Sequence, residues 1–213
     1  MRENQLVFNS FPRSGNVYSM YVSEAFFFPT IPPFISITAA VHMPQIFFVK
    51  NLDNVALFRK PESAISSLVY MQYSMYAEPY AAQISSVQSM QSFITKMAKN
   101  STELYKIFIK YAIENADHIY IGKFDDLVND PLNHFNNVAK KFNRKVFDDY
   151  EKRFIDAKSK LVGTTWENER DGHIPREKSD QRKHIEQIVK SLPFIQELNQ
   201  EYEEFILKYK TIV

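Results

Sequence analysis

The chain of 213 residues has no cysteine, which excludes a disulfide scaffold and every form of thiolate chemistry. A reducing compartment is therefore open to it, and a cytoplasmic location is expected. Glycine is scarce too: four in all, against 18 phenylalanines and 12 tyrosines. That balance argues for a packed domain and against a flexible linker protein. Neither sign of charge is in excess. A formal net charge of +1 leaves no global field to draw the chain to nucleic acid or to an acidic membrane, so any anion site has to be local. No uninterrupted apolar run approaches the roughly 18 residues a membrane span needs, and no span is expected. The opening Met1-Arg2-Glu3-Asn4-Gln5 is polar, unlike a secretory leader. No internal repeat or linker divides the chain, so a single domain over 1–213 is expected, long enough to bury a real core.

What is present is an alternation of short apolar runs with longer stretches of helical spacing. Leu6 to Phe8, Gln45 to Val49, Asn54 to Phe58 and Ile119 to Ile121 have strand length. Between and after them, Val17, Met20, Tyr21 and Ala25, then Ala64, Ile65, Leu68, Met71 and Met75, recur at helical spacing. So do residues from about Ser86 to Ala116, where the capping-box-like Asn100-Ser101-Thr102-Glu103 suggests a break into two helices. Asp125 to Pro131 is expected as a loop in which Asp130 caps, and Pro131 opens, the helix carrying Leu132, Phe135, Val138, Ala139 and Phe142. A charged helix is expected around Phe147 to Lys158, a polar segment over 163–180, and one or two amphipathic helices at the end. Strands separated by helices imply an α/β fold: a parallel β-sheet flanked by helices on both faces. Ligands bind such sheets beyond the carboxyl ends of the strands.

The loop at Arg13, the turn at Arg59 and the segment after Ile121 all lie at such ends. After Leu6 to Phe8 the chain runs through Pro12-Arg13-Ser14-Gly15-Asn16-Val17-Tyr18 into a helical pattern. Strand, tight loop and helix N-terminus present backbone N–H groups to a phosphate. Arg13 adds a fixed charge, Ser14 a hydroxyl, and Gly15 close backbone approach. The lysine of the ATPase loop is absent. After Asn54 to Phe58 comes Arg59, with Ser67 eight residues on; a guanidinium offers two parallel donors to a phosphate and the hydroxyl a third. His42, before Met43-Pro44, is the residue type whose unperturbed pKa suits a general base near neutrality.

These residues together resemble the sulfotransferase family, in motif order, from about Leu6 to Lys178. The resemblance implies a P-loop-like three-layer architecture and the sulfuryl donor 3′-phosphoadenosine 5′-phosphosulfate, PAPS, with no metal. Pro12 to Tyr18 matches the family's P-[KR]-S-G-x-x-[WY], which holds the 5′-phosphosulfate, so Arg13, Ser14, Gly15, Asn16, Val17 and Tyr18 are expected there. Arg59 and Ser67 match R-x(7)-S, which holds the 3′-phosphate. Val41-His42-Met43-Pro44 resembles T-H-x-P without its Thr, and His42 is expected as the base, with Glu24 as the fallback. Ile119 to Pro131 resembles the family's Y-E-D-L-x-x-D-P strand-loop-helix, with Phe124 in place of a tyrosine. Thr164 and Trp166 resemble the adenine-contacting residues of T-S-F; the other reading of Trp166 is a core edge. Arg176 and Lys178 lie where the family closes R-K-G over the 3′-phosphate, although spacing and Gly differ, and a solvated basic loop is the other reading.

The expected activity is sulfuryl transfer from PAPS to a hydroxyl or amine acceptor, with His42 as base and Arg13 stabilising the leaving phosphate. The acceptor, a small molecule, saccharide or peptide, is not legible, nor is the oligomeric state. Phe26 to Phe28 and Tyr70 to Tyr80 line either an acceptor pocket or the core. Two other readings stay open: a P-loop-type nucleotide kinase, opposed by the missing loop lysine and lack of an evident Mg-binding Asp, and a catalytically silent nucleotide-binding module.

Overall fold

The structure, a computed structural model, describes residues 6–11, 35–36, 52–77, 87–162 and 179–212, with 35–36, 76–77, 87–89 and 157–162 described through their backbone alone. Strands β1 (Leu6–Ser10), β2 (Ile35–Ser36), β3 (Asp53–Phe58) and β4 (Ile119–Lys123) form one sheet in the order β2-β1-β3-β4. Every neighbouring pair is parallel. β1 is buried throughout, β3 after its first residue and β4 up to its last. That explains the unalternating apolar stretches Leu6 to Phe8, Val55 to Phe58 and Ile119 to Ile121, since both faces of a parallel sheet are covered; Asn9, Ser10 and Asn54 are buried polar residues beside them.

Seven helices are described: α1 (Pro61–Ala77), α2 (Val87–Glu114), α3 (Phe124–Asn129), α4 (Pro131–Phe142), α5 (Tyr150–Val162), α6 (Asp180–Ser191) and α7 (Pro193–Tyr209). The pleat sends alternate strand residues into two separate cores. Ala56, Phe58, Ile119 and Ile121 join Ala64, Leu68, Phe108, Ile185, Leu198 and their neighbours from α1, α2, α6 and α7. Leu6, Phe8, Val55, Leu57 and Tyr120 join Leu127, Phe135 and Val138 from α3 and α4, with Tyr150 and Phe154 of α5 against them. The result is the expected three layers, helix on sheet on helix. The first core centres on aromatics: the Phe58 ring lies 4.5 Å from Phe108 and 4.8 Å from Phe205, between centroids. Burying side chains of this size contributes roughly 1.5–3 kcal/mol each.

Two local expectations need correction. The Asn100 to Glu103 stretch does not break a helix, because α2 runs unbroken through it. The Thr102 hydroxyl donates to the Ala98 carbonyl at 2.9 Å, one turn back, and Ser101 and Thr102 are both buried. Hydroxyls that bond their own helix do not cap a new one. The Asp125 to Asn129 segment is the helix α3, not a loop. Asp125 and Asp126 complement the positive end of its dipole, and Lys210 reaches the Asp126 carboxylate at 2.6 Å. Asp130 and Pro131 behave as expected: the Asp130 side chain accepts from Asn133 N at 3.1 Å and Pro131 opens α4. The charged helix begins at Tyr150, slightly later than expected, and the final segment is two helices. No described helix is long and apolar enough to cross a membrane.

Strand order positions the site. From β1 the chain moves to one side, to β2, and from β3 to the other, to β4. The direction reverses between β1 and β3, and a crevice opens at such a switch point beyond the carboxyl ends of the strands. Ser10 pairs with Leu57 in register, so β1 and β3 end side by side, β3 delivering the chain to Arg59.

Candidate functional site

Arg59 follows the last residue of β3 and precedes α1 by one residue. Its backbone is fixed from α2, where the buried Tyr105 hydroxyl donates to the Arg59 carbonyl. Its guanidinium carbon lies over the Phe124 ring, 5.2 Å from the centroid, a cation–π contact at the carboxyl end of β3. Phe124 therefore serves as a platform for Arg59. The helix that follows is anchored as well. An N–H in the first turn of a helix has no partner within the helix; that of Glu62 donates to Asn199 Oδ1 of α7 at 3.2 Å, and Asn199 Nδ2 returns a bond to the Glu62 carboxylate at 2.9 Å. Lys60 pairs with the same carboxylate at 3.6 Å.

Proline at the first position and two helical turns carry Ser63, Ser66 and Ser67 along one side of α1, since residues three and four apart share a face. That face and Arg59 line a small cleft, closed on its far side by Arg182 and Glu186 of α6. Ser66 and Ser67 are buried, at 5% and 4% exposure. The Ser66 hydroxyl donates to the Glu62 carbonyl, which leaves its oxygen lone pairs turned elsewhere as acceptors. Arg59 and Ser67 line the same cleft.

Arg182 and Glu186 had no motif to mark them. Arg182 sits in the first turn of α6, whose N-cap is Ser179, accepting from Arg182 N at 3.3 Å. Its guanidinium lies over the Tyr70 ring of α1, 5.6 Å from the centroid. Glu186, one turn on, pairs with Lys190 at 2.8 Å. The hydrogen bond that Lys190 donates to the Glu186 carboxylate raises the Lys190 pKa and keeps its ammonium charged. The only sequence signal was an arginine near the start of a well-capped helix, which is common on any surface. Folding of α6 onto α1 brings it to Arg59.

Arg13, Ser14, Gly15, Asn16, Val17, Tyr18, Glu24, His42, Thr164, Trp166, Arg176 and Lys178 lie outside the described residues, as do Phe26 to Phe28. Of the Tyr70 to Tyr80 stretch, Tyr70 and Tyr73 pack against the first core. No family model, curated protein or solved structure matches the chain.

Proposed function

We propose that the protein is a PAPS-dependent sulfotransferase of P-loop-like fold. The observation that carries the reading is the cleft in which Arg59 and Ser67 converge at the carboxyl end of β3, next to the β1–β3 switch point. A guanidinium with a hydroxyl beside it is the donor set a phosphate takes. The phosphate-type loop Arg13 to Tyr18 follows β1 in sequence, three residues past Ser10, whose register partner Leu57 stands two residues before Arg59. Two anion-binding segments on adjacent strands suit a nucleotide phosphorylated at both its 3′ and 5′ positions.

PAPS supplies an activated sulfuryl group and leaves as adenosine 3′,5′-bisphosphate. In this reading Arg59 and Ser67 bind the 3′-phosphate. Arg13 neutralises charge growing on the leaving 5′-phosphate, and His42 takes the proton of the acceptor hydroxyl as its oxygen bonds to sulfur. Thr164 and Trp166 are assigned to the adenine, and Arg176 and Lys178 to the 3′-phosphate. A cytoplasmic setting suits an enzyme with this donor.

Calorimetric titration without Mg²⁺ tests the reading. Adenosine 3′,5′-bisphosphate should bind at least tenfold more tightly than adenosine 5′-monophosphate or ATP, and Arg59→Ala should erase the difference. A preference for ATP would move the protein to the kinases, and no nucleotide binding at all would sink both.

A further inference from the structure

The segment that follows α7 lies along β4. α7 ends at Tyr209, and Lys210 caps it with a non-helical backbone, φ −54° and ψ 128°. One residue on, Thr211 bonds twice to the middle of β4. Its N–H donates to the Ile121 carbonyl at 3.0 Å, and its hydroxyl accepts from the Ile121 N–H at 2.9 Å. Beside it, Lys210 reaches the Asp126 carboxylate of α3 at 2.6 Å. We propose that Lys210 to Ile212 form a guard strap on the free edge of β4, and that releasing the strap opens this edge to β4 of a second copy of the chain.

The bonds are those of a strand neighbour. Among the described residues β4 is the outer strand of the sheet, with β3 on its other side. An edge strand presents N–H and C=O groups ready to pair with another chain, and proteins blunt such edges by covering them. Thr211 satisfies both groups of Ile121 from a single residue, its hydroxyl standing where the carbonyl of a neighbouring strand would. The hold is through polar groups. Ile212, next along, is 90% exposed, so its side chain does not anchor the strap by burial. Lys210 and Asp126 are partly exposed, and a surface ion pair contributes little. A segment held this way opens far more readily than the packed core behind it.

The uncovered edge fits its own copy. Main-chain groups along a strand point alternately to either side, so those of Ile119 turn the same way as those of Ile121. Antiparallel pairing about a two-fold axis sets Ile121 opposite Ile121, and Ile119 opposite Lys123, so one strand supplies both halves of the contact. An antiparallel strand at the edge of a parallel sheet is a common arrangement. A different protein would have to bring a matching free strand; a second copy has one by construction.

Thr211→Pro tests the strap on the full chain. It removes the N–H and the hydroxyl together. The ψ of 128° at Lys210 already lies in the range a residue before proline takes, so α7 is left as it is. Amide hydrogen exchange and sedimentation equilibrium read the outcome. In dilute protein the Ile121 amide should exchange about tenfold faster, or more, in Thr211→Pro than in the wild type. At rising concentration the variant should associate about tenfold more tightly than the wild type, because more of it has the edge open, and Ile121 should regain its protection. Lys210→Gln leaves both hydrogen bonds and should shift both readings the same way by less; it is the second probe should Thr211→Pro disturb folding. Ile121 exchange unchanged in both variants overturns the strap. Faster exchange without added association, or association that leaves the Ile121 amide unprotected, overturns the second copy as the occupant of this edge.

Discussion

The hydroxyl of Tyr105, on α2, donates to the main-chain carbonyl of Arg59, while the Tyr105 ring packs 4.8 Å from Phe11, between centroids. Phe11 directly follows β1 and Arg59 directly follows β3. One buried side chain thus touches the ends of both strands that flank the switch point. Burial, and behind it the neighbouring Tyr202, raises its pKa well above the usual tyrosine value, so it remains a donor at any working pH.

Tyr105→Phe keeps the ring contacts and removes the donor. It should destabilise the fold by about 1–3 kcal/mol, the cost of a carbonyl losing its partner. It should also weaken adenosine 3′,5′-bisphosphate several-fold by loosening Arg59. Urea denaturation reads the first effect and calorimetry the second. Full stability with full affinity would remove Tyr105 from the site's support.

Gly122 in β4 has a steric reason to be glycine. A Cβ there would stand 2.7 Å from Tyr120 Cε1 and 2.9 Å from His134 Cε1. Both rings are buried and packed edge to face, 5.4 Å apart, so neither can yield without moving α4. Gly122→Ala should cost about 1–3 kcal/mol, as overpacking does. A thermal melt within a degree of the wild type would contradict that.

His134 gives the stability a pH dependence. It is 2% exposed, and neither ring nitrogen has a hydrogen-bond partner among the described residues. Burial is the main cause that lowers its pKa to about 4; Asp126 opposes this and Lys210 adds to it. In the unfolded chain its pKa is the ordinary value near 6.5. Between the two values the unfolded state binds the extra proton, so stability falls as pH drops from about 6.5 to about 4. The whole effect is of the order of 3 kcal/mol. His134→Leu should flatten ΔG of unfolding against pH across that window and leave it little changed above pH 7. An unaltered slope would show that other groups govern the acid side.

His42 carries the catalytic prediction. With an acceptor found, His42→Ala should lower turnover by about two to four powers of ten while keeping bisphosphate affinity. Unchanged turnover would pass the role of base to Glu24, and Glu24→Gln is then the variant to measure.

The sequence by itself determined the layers and half of the cleft. Apolar runs at Leu6, Asn54 and Ile119, separated by helical spacing, allow little but a parallel sheet between helices, and two cores on opposite faces realise it. The eight-residue step from Arg59 to Ser67 is local: a strand end, a helix-opening proline and two turns bring the residues together whatever surrounds them. Local patterns misled where a side chain had two possible partners. Thr102 resembles a cap but bonds its own helix, between Ala98 and Tyr105, which both bury in the first core. The tertiary structure decided what no local pattern encodes. Arg182 stands 123 residues from Arg59, and its place opposite it depends on Ile185 and Val189 burying against α1 and α7. Tyr105 finds the Arg59 carbonyl across 46 residues for the same reason. Hydrophobic burial chooses which helix faces meet, without regard to direction or to distance along the chain; the polar groups at the edges of those faces become neighbours as a consequence.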